Sequence, residues 1–204
     1  MTNSRTAPKP HISSYPPGRG RADAPPPVPS QLERRAGHDR AKWKGTNPGA
    51  LFRVLAAHPV VGDALCGLGD ALLEDLADRP RELVALRVSA VLDSVYVWTG
   101  HTHLALDSVL SRSEIAAVAC GPAALAGRDT AVLRAVDELL ADDRLARLTY
   151  FTLGSEAFGV IVATGFYRTL AAVARDLDPR PDIRPIAGLE TPARARETHA
   201  GLAS

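Results

Sequence analysis

The stretch Asp93-Ser-Val-Tyr-Val-Trp-Thr-Gly-His-Thr-His-Leu-Ala105 concentrates side chains able to do chemistry. It holds one of the two tryptophans, one of the four tyrosines and two of the six histidines. An imidazole changes charge near neutral pH, so a histidine here suits proton transfer. If a helix starts near Val95, the i, i+3, i+4 rule sets Ser94, Val97 and His101 along one face and Tyr96, Gly100 and His103 along another. His101 and His103 then point apart, whereas helical zinc pairs use i, i+4 spacing, so no metal site is expected. Plainer roles compete: His101 as a core histidine bonded to a backbone carbonyl, His103 as a surface or interface residue, and Tyr96 and Trp98 as packing at a helix start.

The elements that must hold this window are helical. Between Val60 and Asp178 only Pro80 and Pro122 interrupt the chain, and apolar residues recur at spacings of three and four. Asn47-Pro48 resembles a cap with proline at the first helical position, opening a short helix to His58. Pro59 starts another, carrying Val61, Leu65, Leu68, Leu72 and Leu76 to about Asp78, and Pro80 starts the next, with Leu83, Leu86 and Ala90 inward. Ser111-Arg-Ser-Glu114 fits a capping box, and Gly121-Pro122 ends the helix it opens. A further helix carries Ala131, Val132, Ala135, Val136, Leu139 and Leu140. The last long one begins around Ser155 and, with Phe158, Ile161, Val162, Phe166, Leu170 and Val173, is apolar around much of its circumference, which predicts self-association.

Composition narrows the class. At 204 residues the chain suits one domain, and 46% hydrophobic with 23% charged residues is globular. A net charge of +1 gives no field for nucleic acid or acidic membranes. The run Ala157-Phe-Gly-Val-Ile-Val-Ala-Thr-Gly-Phe-Tyr167 is well short of the ~20 residues of a membrane span, and no basic-then-apolar leader opens the chain. Cys66 and Cys120 form no C-x-x-C, so a reducing cytoplasm is the expected compartment. Eight of the sixteen prolines fall in the first 30 residues, which reads as an extended arm over residues 1–24, before a helical domain over 25–182 and a tail over 183–204.

Pro80-Arg-Glu-Leu-Val-Ala-Leu-Arg87, then Tyr96-Val-Trp98, then His101 with Ala105, resembles the carboxymuconolactone decarboxylase and alkylhydroperoxidase D-like superfamily. Asn47-Pro-Gly-Ala-Leu-Phe-Arg-Val-Leu-Ala-Ala-His-Pro59, Ala119-Cys-Gly-Pro122, Leu133-Arg-Ala-Val-Asp-Glu-Leu-Leu140 and Gly165-Phe-Tyr167 extend the likeness across residues 25 to 182. It implies an all-α bundle and a homo-oligomer, often a trimer or hexamer, with pockets near subunit contacts. Where the peroxidase branch has a glutamate, two cysteines and a histidine, this chain has Glu82, Ser94, Val97 and His101. Neither Ser nor Val can supply the thiolate that attacks peroxide or the thiol that resolves it, which argues against peroxide reduction.

The decarboxylase-like branch commonly reads Glu-Tyr-Glu-Trp where this chain reads Val95-Tyr-Val-Trp98. That departure leaves an apolar wall with His101 as its ionisable group. The resemblance then implies a lyase, isomerase or cyclase without metal or organic cofactor. His101 would exchange the proton, Glu82 would orient or relay, and Tyr96, Trp98, Ser94, Val97 and Tyr167 would contact the substrate. Loss of CO2 needs an electron sink, so a small organic acid such as a β-keto acid or lactone, or a polyketide-like intermediate, is the substrate class. A non-catalytic ligand-binding or scaffold member of the fold is the rival, and a thiol peroxidase recruiting Cys66 or Cys120 a third reading.

Overall fold

The computed structural model describes residues 49–56, 58–177 and 183–202. The Pro-rich arm, Trp43 and the Asn47-Pro48 pair lie outside the described residues. Among those described, all regular elements are helical: α1 (Gly49–Ala56), α2 (Pro59–Asp75), α3 (Asp78–Val91), α4 (Val95–Ser108), α5 (Arg112–Cys120), α6 (Gly127–Asp142), α7 (Arg147–Leu153), α8 (Ala157–Leu177) and α9 (Pro192–Leu202), with single 3₁₀ turns before α6 and α8.

Helix α3 is the centre. It packs against α8, α4, α6 and α5, and from Arg81 to Ala90 every residue except Arg87 is buried. The helix begins at Asp78, two residues before Pro80, where the sequence suggested a start. A proline in the first turn lacks an N–H that would have no intrahelical partner anyway, and the acidic Asp78 suits the positive end of the helix dipole. At its other end Asp93 takes the left-handed conformation (φ 52°), which a short polar side chain tolerates. The chain reverses there into α4, and the Ser94 amide donates to the Ser89 carbonyl at 2.9 Å. This tight reversal lays α4 back along α3.

The Ser111–Glu114 capping box forms as its sequence implies, with Ser111 and Glu114 each accepting from the other's backbone N–H. The first helix stops at Ala56 rather than His58, and α2 at Asp75. Two elements are additions to the sequence reading. Helix α7 turns Leu148, Tyr150 and Phe151 outward, so no inward stripe announced it. The stretch read as a C-terminal tail carries α9, which packs on α5. Its signal was present in Thr191-Pro192, a cap followed by proline, and the Thr191 hydroxyl accepts from the Arg194 amide at 3.1 Å.

Candidate active site

Helices α3 and α4 run side by side, and their facing residues build the site. Glu82, one turn into α3, meets His101, midway along α4: His101 Nδ1 lies 2.7 Å from Glu82 Oε2. Both are buried, with Glu82 2% and His101 8% exposed. A carboxylate at this distance accepts from Nδ1–H, which fixes the tautomer and leaves the basic lone pair of the neutral ring on Nε2. The expected partner of a core histidine was a backbone carbonyl, and the expected surroundings were apolar. A carboxylate occupies that place instead.

Burying a carboxylate is costly unless its charge is answered. Arg81 answers it. Its Nε lies 3.4 Å from Glu82 Oε1, while its other nitrogens donate to Asp78 at 2.7 Å and the Leu76 carbonyl at 3.3 Å. Arg81 is itself only 8% exposed, so Asp78, Arg81, Glu82 and His101 form a connected chain from the surface inward. Arg87, five residues after Glu82, pairs with Asp137 of α6.

Tyr167 of α8 closes the other side. Its ring meets the His101 ring edge-on, with centroids 4.9 Å apart at 84°, and Phe166 packs edge-on behind it at 5.2 Å. Burial, and then the charge of Glu82, push the Tyr167 phenol well above its ordinary value, against a smaller opposing pull from Arg81. Both effects favour the neutral hydroxyl, which can donate a hydrogen bond.

The other residues singled out from sequence divide. Ser94 and Val97 share the His101 face and are buried. Tyr96 is half-buried, and its hydroxyl accepts the Leu51 amide at 3.0 Å, satisfying one of the donors left open in the first turn of α1. Trp98 is fully buried, and its indole donates to the Leu189 carbonyl at 2.8 Å, fastening the segment that leads into α9. His103 Nε2 lies 3.0 Å from the Arg184 carbonyl on the same segment. Cys66 is half-buried on α2 and Cys120 exposed at the end of α5. Among the described residues no group of three or more His, Cys, Asp or Glu side chains is placed to hold a metal ion. The place of Arg81 beside Glu82 in the sequence suggested an ion pair, and the two are paired here at 3.4 Å.

An open cleft of about 640 Å³ lies elsewhere, between the end of α6 and α7, lined by Glu138, Asp142, Arg147, Tyr150 and Phe151 among others. It contains none of the residues around His101.

Residues 59–138 match the model of the carboxymuconolactone decarboxylase family. That span takes in α2 to α5 and most of α6, with Glu82, Ser94, Val97 and His101 inside it and Tyr167 and α9 beyond it. No curated protein and no solved structure matches the chain.

Proposed function

We propose, for a chain that over residues 59–138 belongs to the carboxymuconolactone decarboxylase family, a lyase or isomerase/cyclase in which His101 moves a proton on a small organic acid or polyketide-like intermediate. Family membership supports decarboxylase or lyase-type activity in general, and the all-helical bundle is consistent with that family's fold. The observation that carries the finer reading is the buried 2.7 Å contact between His101 Nδ1 and Glu82 Oε2. A histidine oriented by a carboxylate, with a neutral phenol against its ring, is an acid–base arrangement. The site has no C-x-x-C, and Ser94 and Val97 stand on its helix face, which fits a non-peroxidase branch.

In this reading His101 Nε2 takes the carboxyl proton of a β-keto acid or vinylogous acid, and CO2 leaves as the C–C bond electrons move onto the carbonyl oxygen to give an enolate. The imidazolium returns the same proton to carbon, with Glu82 holding the ring through Nδ1. Isomerisation or cyclisation uses the same proton exchange without loss of CO2. No metal or organic cofactor enters these steps.

We also infer that the protein works in the cytoplasm as a homo-oligomer. The stretch from Arg147 to Asp176 contains an 18-residue apolar window of which only 44% is buried within the chain. On α8 the inner residues Val160, Ala163 and Tyr167 sit in the core while Phe158 is 71% exposed, and Val61 on the neighbouring α2 is 61% exposed. Covering such apolar area against a second copy favours association over a free monomer.

The test is a mass-spectrometric comparison of small molecules from cells carrying the wild-type protein or His101→Ala at equal levels of folded protein. A species that accumulates in the variant and is heavier than the normal product by CO2 marks a decarboxylase. One of equal mass marks an isomerase or cyclase, and no difference favours the scaffold reading.

A further inference from the structure

Helix α2 turns an apolar strip outward. Val60, Ala64, Gly67 and Ala71 are all exposed, and at 100° per residue they fall within about 60° of one another around the helix. Val60 keeps 83% of its surface open, the largest value for any large apolar residue among those described. Asp63, Asp70 and Glu74 line one edge of the strip within about 40° of one another, and Asp75 follows in the last turn. The helix has no lysine or arginine. Its charges are unfavourably placed: Asp70 and Glu74 repel at i, i+4, and Glu74 and Asp75 sit at the negative end of the helix dipole. Among the described residues none of these four carboxylates is in an ion pair, whereas Asp78, Glu114, Asp129 and Asp137 each meet an arginine.

The chain carries cations to answer them. Residues 1–48 hold nine Lys/Arg and three Asp/Glu, a charge of +6, and residues 49–204 hold fifteen and twenty, a charge of −5. The cluster closest to the described chain is Arg40-Ala-Lys-Trp-Lys44, three cations around an indole with no acid among them. It leads to Gly49, the start of α1, and α1 packs on α2. Lys44 is five residues and Arg40 nine before Gly49, reaches of up to about 17 and 30 Å on an extended chain, against about 25 Å for the length of α2.

We infer that residues 40–44 dock on the outer face of α2 of their own chain, with Trp43 on Val60 and Ala64 and with Arg40, Lys42 and Lys44 against Asp63, Asp70 and Glu74. An extended segment sets alternate residues on opposite sides at about 7 Å intervals, so the three cations share one side and Trp43 takes the other. The cations then span about 14 Å and the three carboxylates about 16 Å of the helix axis, a match that long basic side chains complete. Val61 lies at the edge away from the acids and stays open to a second copy. The clasp holds α1, whose Leu51 amide donates to Tyr96 of α4, and it stands independently of the chemistry at His101.

Lys9, Lys42 and Lys44 are the chain's three lysines, so a carbodiimide that joins amines to carboxylates reports on this segment in the full-length, unmutated protein. Mass spectrometry of a mixture of ¹⁵N-labelled and unlabelled chains should find Lys42 and Lys44 joined to Asp63, Asp70 or Glu74 within one chain. Trp98 is fully buried, so acrylamide quenching of tryptophan fluorescence reads Trp43. Quenching should rise about two- to threefold in Asp70→Arg/Glu74→Arg, as loss of two or three exposed ion pairs implies. Adding Arg40→Glu, Lys42→Glu and Lys44→Glu to that variant should restore the shielding, with helix content by circular dichroism unchanged throughout. Amides from Lys42 and Lys44 spread over other carboxylates, amides found between labelled and unlabelled chains alone, no amides at all, or quenching unmoved by Asp70→Arg/Glu74→Arg would each overturn the proposal.

Discussion

Helix α3 makes two kinds of charged contact, and they differ in the partners they meet. Arg79 and Arg87 reach out to clamp neighbouring helices. Arg79 takes Glu114 of the α5 capping box at 2.5 Å, Asp129 of α6 at 2.6 Å and the Val109 carbonyl at 2.7 Å. Arg87 takes both oxygens of Asp137 at 2.7 and 2.9 Å and the carbonyls of Val118 and Ala119. Each of these guanidinium forks engages several fixed acceptors on other elements, which is what a structural tie requires. Glu82 instead faces inward to an imidazole that packs edge-on against a phenol. Several fixed acceptors mark the clamps, and a buried carboxylate–imidazole pair marks the candidate site.

The sharpest break of this contrast is His101→Gln. On a substrate identified by the mass-spectrometric comparison, turnover should fall by about 10²- to 10⁴-fold, as for loss of a general acid–base. Thermal unfolding should change little, because the glutamine amide can still donate to Glu82. Equal losses of stability and activity would make the dyad a structural tie like the others.

Arg87→Ala should behave oppositely. Removing the fork leaves Asp137 and the Val118 carbonyl without the donor they have here and the Ala119 carbonyl with only the Arg196 bond at 3.5 Å, at a cost of about 2–3 kcal/mol in chemical denaturation. A variant with wild-type stability would show that the clamp does not hold α3 to α6. Gly121→Ala should follow at about 1–3 kcal/mol. Gly121 has φ +114°, and a Cβ there would come 3.2 Å from an Arg87 guanidinium nitrogen. Combined with Arg87→Ala its penalty should shrink toward the backbone strain alone, which a double-mutant cycle would measure.

The smallest effect is in acid. Hydrogen bonds from Arg79, then from Ser111, hold the Glu114 carboxyl at about 2 against an ordinary 4.5. A carboxyl depressed on folding stabilises the protein above its unfolded value, and that contribution is lost as pH falls from about 4.5 toward 2. With a third of the side chain exposed, solvent screening reduces the contribution to about 1 kcal/mol. Glu114→Gln should therefore flatten the stability profile over that window and leave activity near neutrality unchanged. An identical acid limb in wild type and variant would remove the clamp from the acid response.

The site was half legible. Ser94, Val97 and His101 could be set on one face by counting along the chain, and Glu82 came from the resemblance carried by Pro80-Arg-Glu-Leu-Val-Ala-Leu-Arg87. The same resemblance, through Tyr96-Val-Trp98, set Tyr96 and Trp98 among the substrate contacts. Their hydrogen bonds run elsewhere, to Leu51 and Leu189, which are 45 and 91 residues distant. Nothing local distinguishes an indole that touches a ligand from one that fastens a distant segment.

The sequence by itself determined the starts of α2, α3, α4, α5 and α8 to within about two residues, the existence of α6, the capping box, and the face on which His101 lies. These follow from periodicity, capping chemistry and proline geometry, all local within about two turns. Only the tertiary structure decided what that face meets: Glu82 across the α3–α4 reversal, Arg81 behind it, Tyr167 from α8, and α9 folded back onto α5. The physical reason is that a repeating pattern specifies the direction of a side chain from its own helix axis. Its partner is fixed by how helices pack against each other, and each contact there is selected by shape and charge across many intervening residues.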